Sequence, residues 1–299
     1  MSSRLLALPA VVMAVAVLAG CAPAAAPLPT PTAVATPLGD KKLGIVDLLE
    51  TTGPLASFSA AQEAGTELAV RELNEAGGVL GAPVVVWHRT DSAPATLTDA
   101  ATTLKVDAAI VTANPEAVAA LVAPAASAKV AVTAIGTVKN LTTPTASPYP
   151  DASAPPSPTG KVTPKPSGKT TALATPVPSS VAPVVTASAQ PTHKPGVPAT
   201  PSEAFVARLK TSNPFLSDFT YGAESYQLVI ALALAATVAK DDAGPSLMRG
   251  LEQITTGDVV CTDFAECLTV LKDNRAIKYI GPAGRMAYDA RVGVVTFGS

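Results

Sequence analysis

Residues 142–201 hold 15 of the chain's 29 prolines, and no single packed domain can run through them. Proline removes amide donors and breaks helix interiors. The only charges in the stretch are Asp151, Lys161, Lys165, Lys169 and Lys194, and its only aromatic residue is Tyr149. So little apolar mass does not offset an ordering cost of about 1–2 kcal/mol per residue. The composition predicts an extended, semi-rigid, disordered linker, with Ser and Thr that also suit O-glycosylation. It separates two pieces of globular character, 40–141 and 202–299. Together they are long enough to bury a core.

The first twenty residues carry one charge, Arg4, followed by an almost wholly apolar run from Leu5 to Leu18. That run is too short to span a bilayer as a helix of about 20 residues, and it suits the apolar region of an export signal. It ends in Leu18-Ala19-Gly20-Cys21. This resembles the bacterial lipobox, in which the Cys is diacylated and becomes the mature N-terminus. The expectation is a signal over 1–20, a lipid on Cys21, and a Pro/Ala/Thr tether over 21–39. It places the protein on the extracytoplasmic face of the cell membrane. Two acyl chains suffice for stable anchoring where one does not. An ordinary cleaved signal is the other reading. Once Cys21 is lipidated, Cys261 and Cys267 remain, six apart and outside the reducing cytosol, so a disulfide between them is expected. Two free buried thiols are the alternative.

The first piece alternates strand and helix. Strands are predicted over 43–49, 83–87, 107–112 and 130–135, and helices over 57–74, 95–104 and 115–127. Gly77-Gly78 supplies a stop for the first helix, and Pro115 suits a helix's first turn. The alternation implies a parallel sheet. The second piece reads as mainly helical. Residues 224–239 form an apolar core helix, 245–254 a further helix, and Asp263 with Glu266 a capping pair for another; 292–297 is a closing strand.

In this order the residues resemble a known family. The opening Lys42-Leu-Gly-Ile-Val-Asp-Leu-Leu-Glu-Thr-Thr-Gly-Pro-Leu-Ala-Ser-Phe58 is similar to that of the type I periplasmic solute-binding proteins, the branched-chain amino-acid-binding group. The similarity continues through Ala60-Ala61-Gln62, Ala64-Gly65, Leu68-Ala69-Val70, Glu72-Leu73-Asn74 and Ala76-Gly77-Gly78-Val79-Leu80-Gly81. Phe219-Thr-Tyr-Gly-Ala-Glu-Ser-Tyr226 resembles the family's late helix, and Cys261-Thr-Asp-Phe-Ala-Glu-Cys267 a cysteine pair of its actinobacterial members. The resemblance implies an α/β fold, a parallel sheet flanked by helices, built as a single lobe from two chain segments. In the family two lobes close on a ligand; here the Pro-rich linker occupies the place of the second.

Ligands of such sheets sit outside the carboxyl ends of strands. The corresponding positions are Thr51, Thr52, Asn114, Gly136 and Thr137. Asn114 and Ile135 stand where the family carries serine, and Val111-Thr112 replaces its Gly-Pro. A single lobe leaves about half of a small ligand exposed, whereas a pocket ordinarily covers 70–90% or so. The implied partners are a small solute such as an amino acid, an ABC permease, and the membrane through the lipid. The alternative is an envelope interaction or spacer lipoprotein with no small ligand.

Nothing in the sequence points to catalysis, a cofactor or a metal. His88, beside Trp87 at a strand end, reads as structural or surface, and His193 lies in the linker. Ser167-Gly168-Lys169-Thr170 imitates the end of a phosphate loop, but Thr163 stands where the required glycine would be. Asn140-Leu141-Thr142 matches a glycosylation sequon. Tyr221, Glu224 and Tyr226 read as core and cap residues. Removing residues 1–20 moves the net charge from −2 to −3, which leaves no basic field for nucleic acid.

Overall fold

A computed structural model describes residues 39–112, 115–135, 198–289 and 294–297. The expected signal, Cys21, its tether up to residue 38, and most of the Pro-rich stretch lie outside the described residues.

The first segment supplies β1 (Gly44–Leu48), a 3-10 helix (Gly53–Phe58), α1 (Ser59–Glu75), β2 (Val85–Arg89), α2 (Pro94–Asp99), β3 (Ala108–Thr112), α3 (Pro115–Ala128) and β4 (Ala131–Ile135). A π-helical turn, Ala100–Leu104, extends α2 to the end expected for that helix. The return segment supplies α4 (Glu203–Ser212), α5 (Gly222–Ala239), α6 (Gly244–Thr256), β5 (Val259–Cys261), α7 (Phe264–Lys272), β6 (Ile277–Gly281), β7 (Gly284–Asp289) and β8 (Val294–Phe297). Reading this piece as mainly helical missed three of its strands and α4. β6 and β7 form a hairpin whose buried residues, Ile277, Tyr279, Ile280 and Met286, are interrupted by Lys278 and Arg285, so no long apolar run marks either strand.

All eight strands join one sheet in the order β2-β1-β3-β4-β8-β7-β6-β5. β1 pairs in parallel with β2 and β3, β3 with β4, β4 with β8, and β5 with β6; β7 runs antiparallel to both its neighbours. The two chain segments meet inside the sheet, where Ala134 on β4 pairs with Val294 on β8.

β1, β3 and β4 are buried along their whole length, because helices cover both faces. Alternate residues serve opposite layers. Ile45, Ala108, Ile110 and Ile135 face the layer of α1, α5 and α6. Val46, Leu48, Ala109, Val111 and Val132 face α2 and α3. This is why these strands read as continuous apolar runs and not as alternating ones. α5 is long and apolar enough to cross a bilayer, yet it is buried from Gly222 to Ala236. It is the core helix of this fold, packed on α1 and α6.

Gly65 explains the closeness of the α1–α5 crossing. A Cβ there would stand 2.2 Å from the Gly222 carbonyl oxygen, so the backbones touch only because the side chain is absent. α1 ends through Gly77 at φ +100° and Gly78 at φ +78°. The Gly78 amide returns to the Leu73 carbonyl at 2.9 Å, closing the helix as the glycine pair predicted. Asp263 caps α7 by accepting from the Glu266 amide at 2.8 Å. The Glu266 carboxylate reaches back one residue further than expected, to the Thr262 amide at 2.7 Å. The Cys261–Cys267 disulfide is present, fully buried, and ties α7 to the end of β5.

Candidate functional site

The order β2-β1-β3-β4 makes a switch point. From β1 the chain goes to β2 on one side, then returns to β3 on the other. The loops leaving the carboxyl ends of β1 and β3 therefore diverge and leave a crevice, the usual place for a ligand in an open α/β sheet.

Residues 49–58 form one wall of this crevice. The Leu49 amide donates to the Arg89 carbonyl at 2.7 Å, and Ser59 Oγ to the Glu50 carbonyl at 2.6 Å. Glu50 also accepts from Ser92 Oγ. Thr51 and Thr52 are exposed. The Thr51 hydroxyl donates to the Thr90 carbonyl at 3.1 Å, so it offers an incoming group its lone pairs and not its proton. Thr52 makes no side-chain capping bond to the 3-10 helix that follows it. Asp91 closes the next loop. It accepts from Thr96 Oγ1 and from the Ala93 amide, which together hold its carboxyl below the ordinary range. Asn114, Gly136 and Thr137 lie outside the described residues, as do Cys21 and His193. Ile135, the last residue of β4, is fully buried, so its side chain belongs to the core and not to the crevice.

Directly beneath this edge lies a buried polar chain that the sequence reading did not single out. Thr112 Oγ1, at the end of β3, donates to Gln62 Oε1 at 2.5 Å. Gln62 Nε2 donates to Asp47 Oδ1 at 2.6 Å, and Thr66 Oγ1 to Asp47 Oδ2 at 3.1 Å. Asp47, Gln62 and Thr66 have no exposure. His88, the register partner of Asp47 on β2, brings Nδ1 to 3.3 Å from Asp47 Oδ2, off the line of a good hydrogen bond. Its Nε2 meets Glu67 Oε1 at 2.9 Å. Burial alone would lower the His88 pKa. The close approach and charge of Asp47, with Glu67 and Glu63, outweigh it and raise the pKa to about 9. With its pKa raised to about 9, His88 keeps its proton at neutral pH and is not a free base. One signal was available: Asp47 is the only charged residue in the apolar run 43–49.

Glu224 is buried in the first turn of α5, where Oε1 accepts from the Ala199 amide at 2.6 Å. Burial pushes its carboxyl up to about 7, against the opposing pull of that amide. Tyr221 packs edge-to-face on Phe58. Tyr226 donates to Glu72 Oε2 at 2.6 Å and lies under the Arg208 guanidinium. Tyr221 and Tyr226 thus pack the return segment against the 3-10 helix and α1, while Glu224 ties α5 to Ala199 within the return segment. Among the described residues no group of His, Cys, Asp and Glu is arranged to hold a metal ion.

No protein-family model and no curated protein matches the chain. Solved structures do match part of it. One is the branched-chain amino acid transporter substrate-binding protein LivJ from Streptococcus pneumoniae, in complex with isoleucine. It is 31% identical over 33% of this chain and 30% of that one, with a TM-score of 0.31. A fatty acid ABC transporter substrate-binding protein from Thermomonospora curvata is 22% identical over 33% and 26%, TM-score 0.28. A solute-binding protein of an R. palustris ABC transporter, in complex with benzoate, is 26% identical over 31% and 27%, TM-score 0.26. The chain spans under a third of the length of each of these proteins.

Proposed function

We propose that this protein is a membrane-anchored lipoprotein of solute-binding type serving an ABC import system. Its ligand is an amino acid or related small solute, held more weakly than in a two-lobed receptor. One observation carries the reading. The loop after β1, which holds the family-like Thr51 and Thr52, opens at the switch point of a doubly covered parallel sheet. The weakness follows from the walls. Among the described residues there is one sheet, so a ligand at this edge stays open to water on its far side. Each polar contact then competes with solvent for about 1 kcal/mol net.

Calorimetry with a panel of amino acids and small amides tests the proposal. Binding with a dissociation constant on the order of 0.1–1 mM is expected, and Thr51→Val with Thr52→Val should weaken it several-fold. No heat from any of them at millimolar concentration would defeat the receptor reading.

A second reading, an envelope interaction or spacer lipoprotein without a small ligand, draws support from the grooves. The two largest described, of about 690 and 410 Å³, lie around the ends of α5 and α3, away from Thr51 and Thr52.

A further inference from the structure

Four lysines in this fold adopt a left-handed backbone conformation: Lys41 at φ +69°, Lys105 at +59°, Lys129 at +59° and Lys240 at +55°. That geometry is strained for a residue with a Cβ, and glycine is the usual occupant where a helix ends in it. Lys105, Lys129 and Lys240 follow the helical stretches ending at Leu104, Ala128 and Ala239. A cation at a helix carboxyl end recovers only part of that cost, so stability alone would be served as well by glycine. Lys41 and its neighbour Lys42 end no helix, and the dipole does not account for them.

All five lie together and are exposed. Lys42 precedes β1, Lys105 precedes β3 and Lys129 precedes β4, so the parallel sheet places them along its amino edge. Backbone bonds stitch that edge. The Asp107 amide donates to the Gly44 carbonyl and the Asp107 carbonyl accepts from the Ala131 amide, each at 2.8 Å, and the Gly244 amide donates to the Lys129 carbonyl at 3.1 Å. Three aspartates of the edge are turned inward. Asp107 accepts from the Gly44 amide at 2.9 Å, Asp241 from the Gly39 amide at 2.8 Å, and Asp242 has no exposure. Lys240 continues the basic rim to Lys272 and Arg275, around the groove of about 690 Å³. Exposed carboxylates are interspersed, Asp40, Glu75, Glu252, Asp258 and Asp273, so the outward charge is basic by a modest margin.

The chain enters the fold at this same edge. Gly39 is strapped onto Asp241 there, 18 residues after Cys21, a stretch that reaches at most about 60–65 Å. We propose that the lysine-lined amino edge of the sheet is the surface on which this chain rests against an anionic lipid bilayer. The proposal rests on the lipid-anchor reading of Cys21. A Lys near an anionic leaflet strengthens association about fivefold, within a screening length of about 8 Å. That is too little to bind alone, and enough to orient a domain already tethered.

The mature, diacylated full chain is reconstituted into vesicles of phosphatidylcholine alone, or with about a third phosphatidylglycerol. Mass spectrometry follows acetylation of each lysine, with Lys210 on α4 as internal reference. The expected result is at least about threefold slower reaction of Lys41, Lys42, Lys105, Lys129 and Lys240 on the anionic vesicles, abolished by about 0.5 M salt. The triple variant Lys105→Gly, Lys129→Gly and Lys240→Gly should melt no lower than the parent, since glycine accepts the backbone conformation. It should lose the protection of Lys41 and Lys42. Equal reactivity on both vesicles in a bound, acylated chain overturns the docking surface alone. So does protection that persists on phosphatidylcholine, which would indicate a contact indifferent to lipid charge, such as a second protein. An unacylated Cys21 in protein isolated from its source overturns the anchor reading and this one with it.

Discussion

At the scale of single residues, two ionisable groups packed into the fold both lower stability as pH rises, each in its own window. His88 has a pKa of about 9 in the fold against 6.5 ordinarily. Its contribution is therefore complete below about pH 6.5 and is lost as pH rises through about 9. Glu224 is raised to about 7 from 4.5 by burial. The unfolded chain ionises first, so stability falls from about pH 4.5 to 7 and then levels off. Asp107, raised to about 7 by burial, adds the same sign. Urea unfolding at several pH values separates them. Between pH 7.5 and 9.5 the parent should lose about 2 kcal/mol, and His88→Gln should be nearly flat over that window. Glu224→Gln should match the parent at pH 4 and exceed it by on the order of 1–3 kcal/mol at pH 8. A parent whose stability rises from pH 7.5 to 9.5 would contradict the His88–Asp47 pairing.

At the scale of elements, the α1–α5 crossing sets how the two chain segments fit. Gly65→Ala places a methyl group 2.2 Å from the Gly222 carbonyl oxygen. Neither helix can retreat without opening the core around Leu68 and Leu228. A loss of about 2–4 kcal/mol is expected, measured by denaturant midpoint. Gly53→Ala is the contrasting variant, with φ +74° and nothing within 4 Å of its Cβ. It should cost only about 1 kcal/mol, from backbone strain alone. The helix of 57–74 was legible because its apolar spacing and glycine stop are local signals. The depth of its crossing was not, because Gly65 reads in sequence only as a weak helix former. β5, β6 and β7 escaped for a related reason. Val260 on β5 is exposed, and the alternation of β6 and β7, with Ile277, Tyr279 and Met286 inward and Lys278, Arg285 and Ala287 outward, lasts only a few residues in each strand.

At the scale of the whole molecule, the two segments are one folding unit by their sheet. β4 pairs with β8, and α5 packs between α1 and α6. A chain cut at a protease site inserted near residue 170 should therefore remain one folded species. The two fragments should co-elute on a sizing column in buffer and part only in denaturant. Fragments that separate in buffer would show that the segments are independent domains.

The sequence by itself determined the alternation of strand and helix from 43 to 135, the apolar core helix after Gly222, and the places where helices stop. All of these rest on periodicity and on residues whose backbone preferences act locally. It also singled out Thr51 and Thr52, through a motif short enough to stand in one loop. Only the tertiary structure decided that Asp47, Gln62, Thr112 and His88 form one polar chain, and that five lysines from four connections share an edge. Those groupings join residues up to 199 positions apart, from Lys41 to Lys240. Hydrophobic pattern records which face of an element is buried; it does not record which other element buries it. That choice is made by strand order and helix crossing, which exist only once the chain has closed on itself.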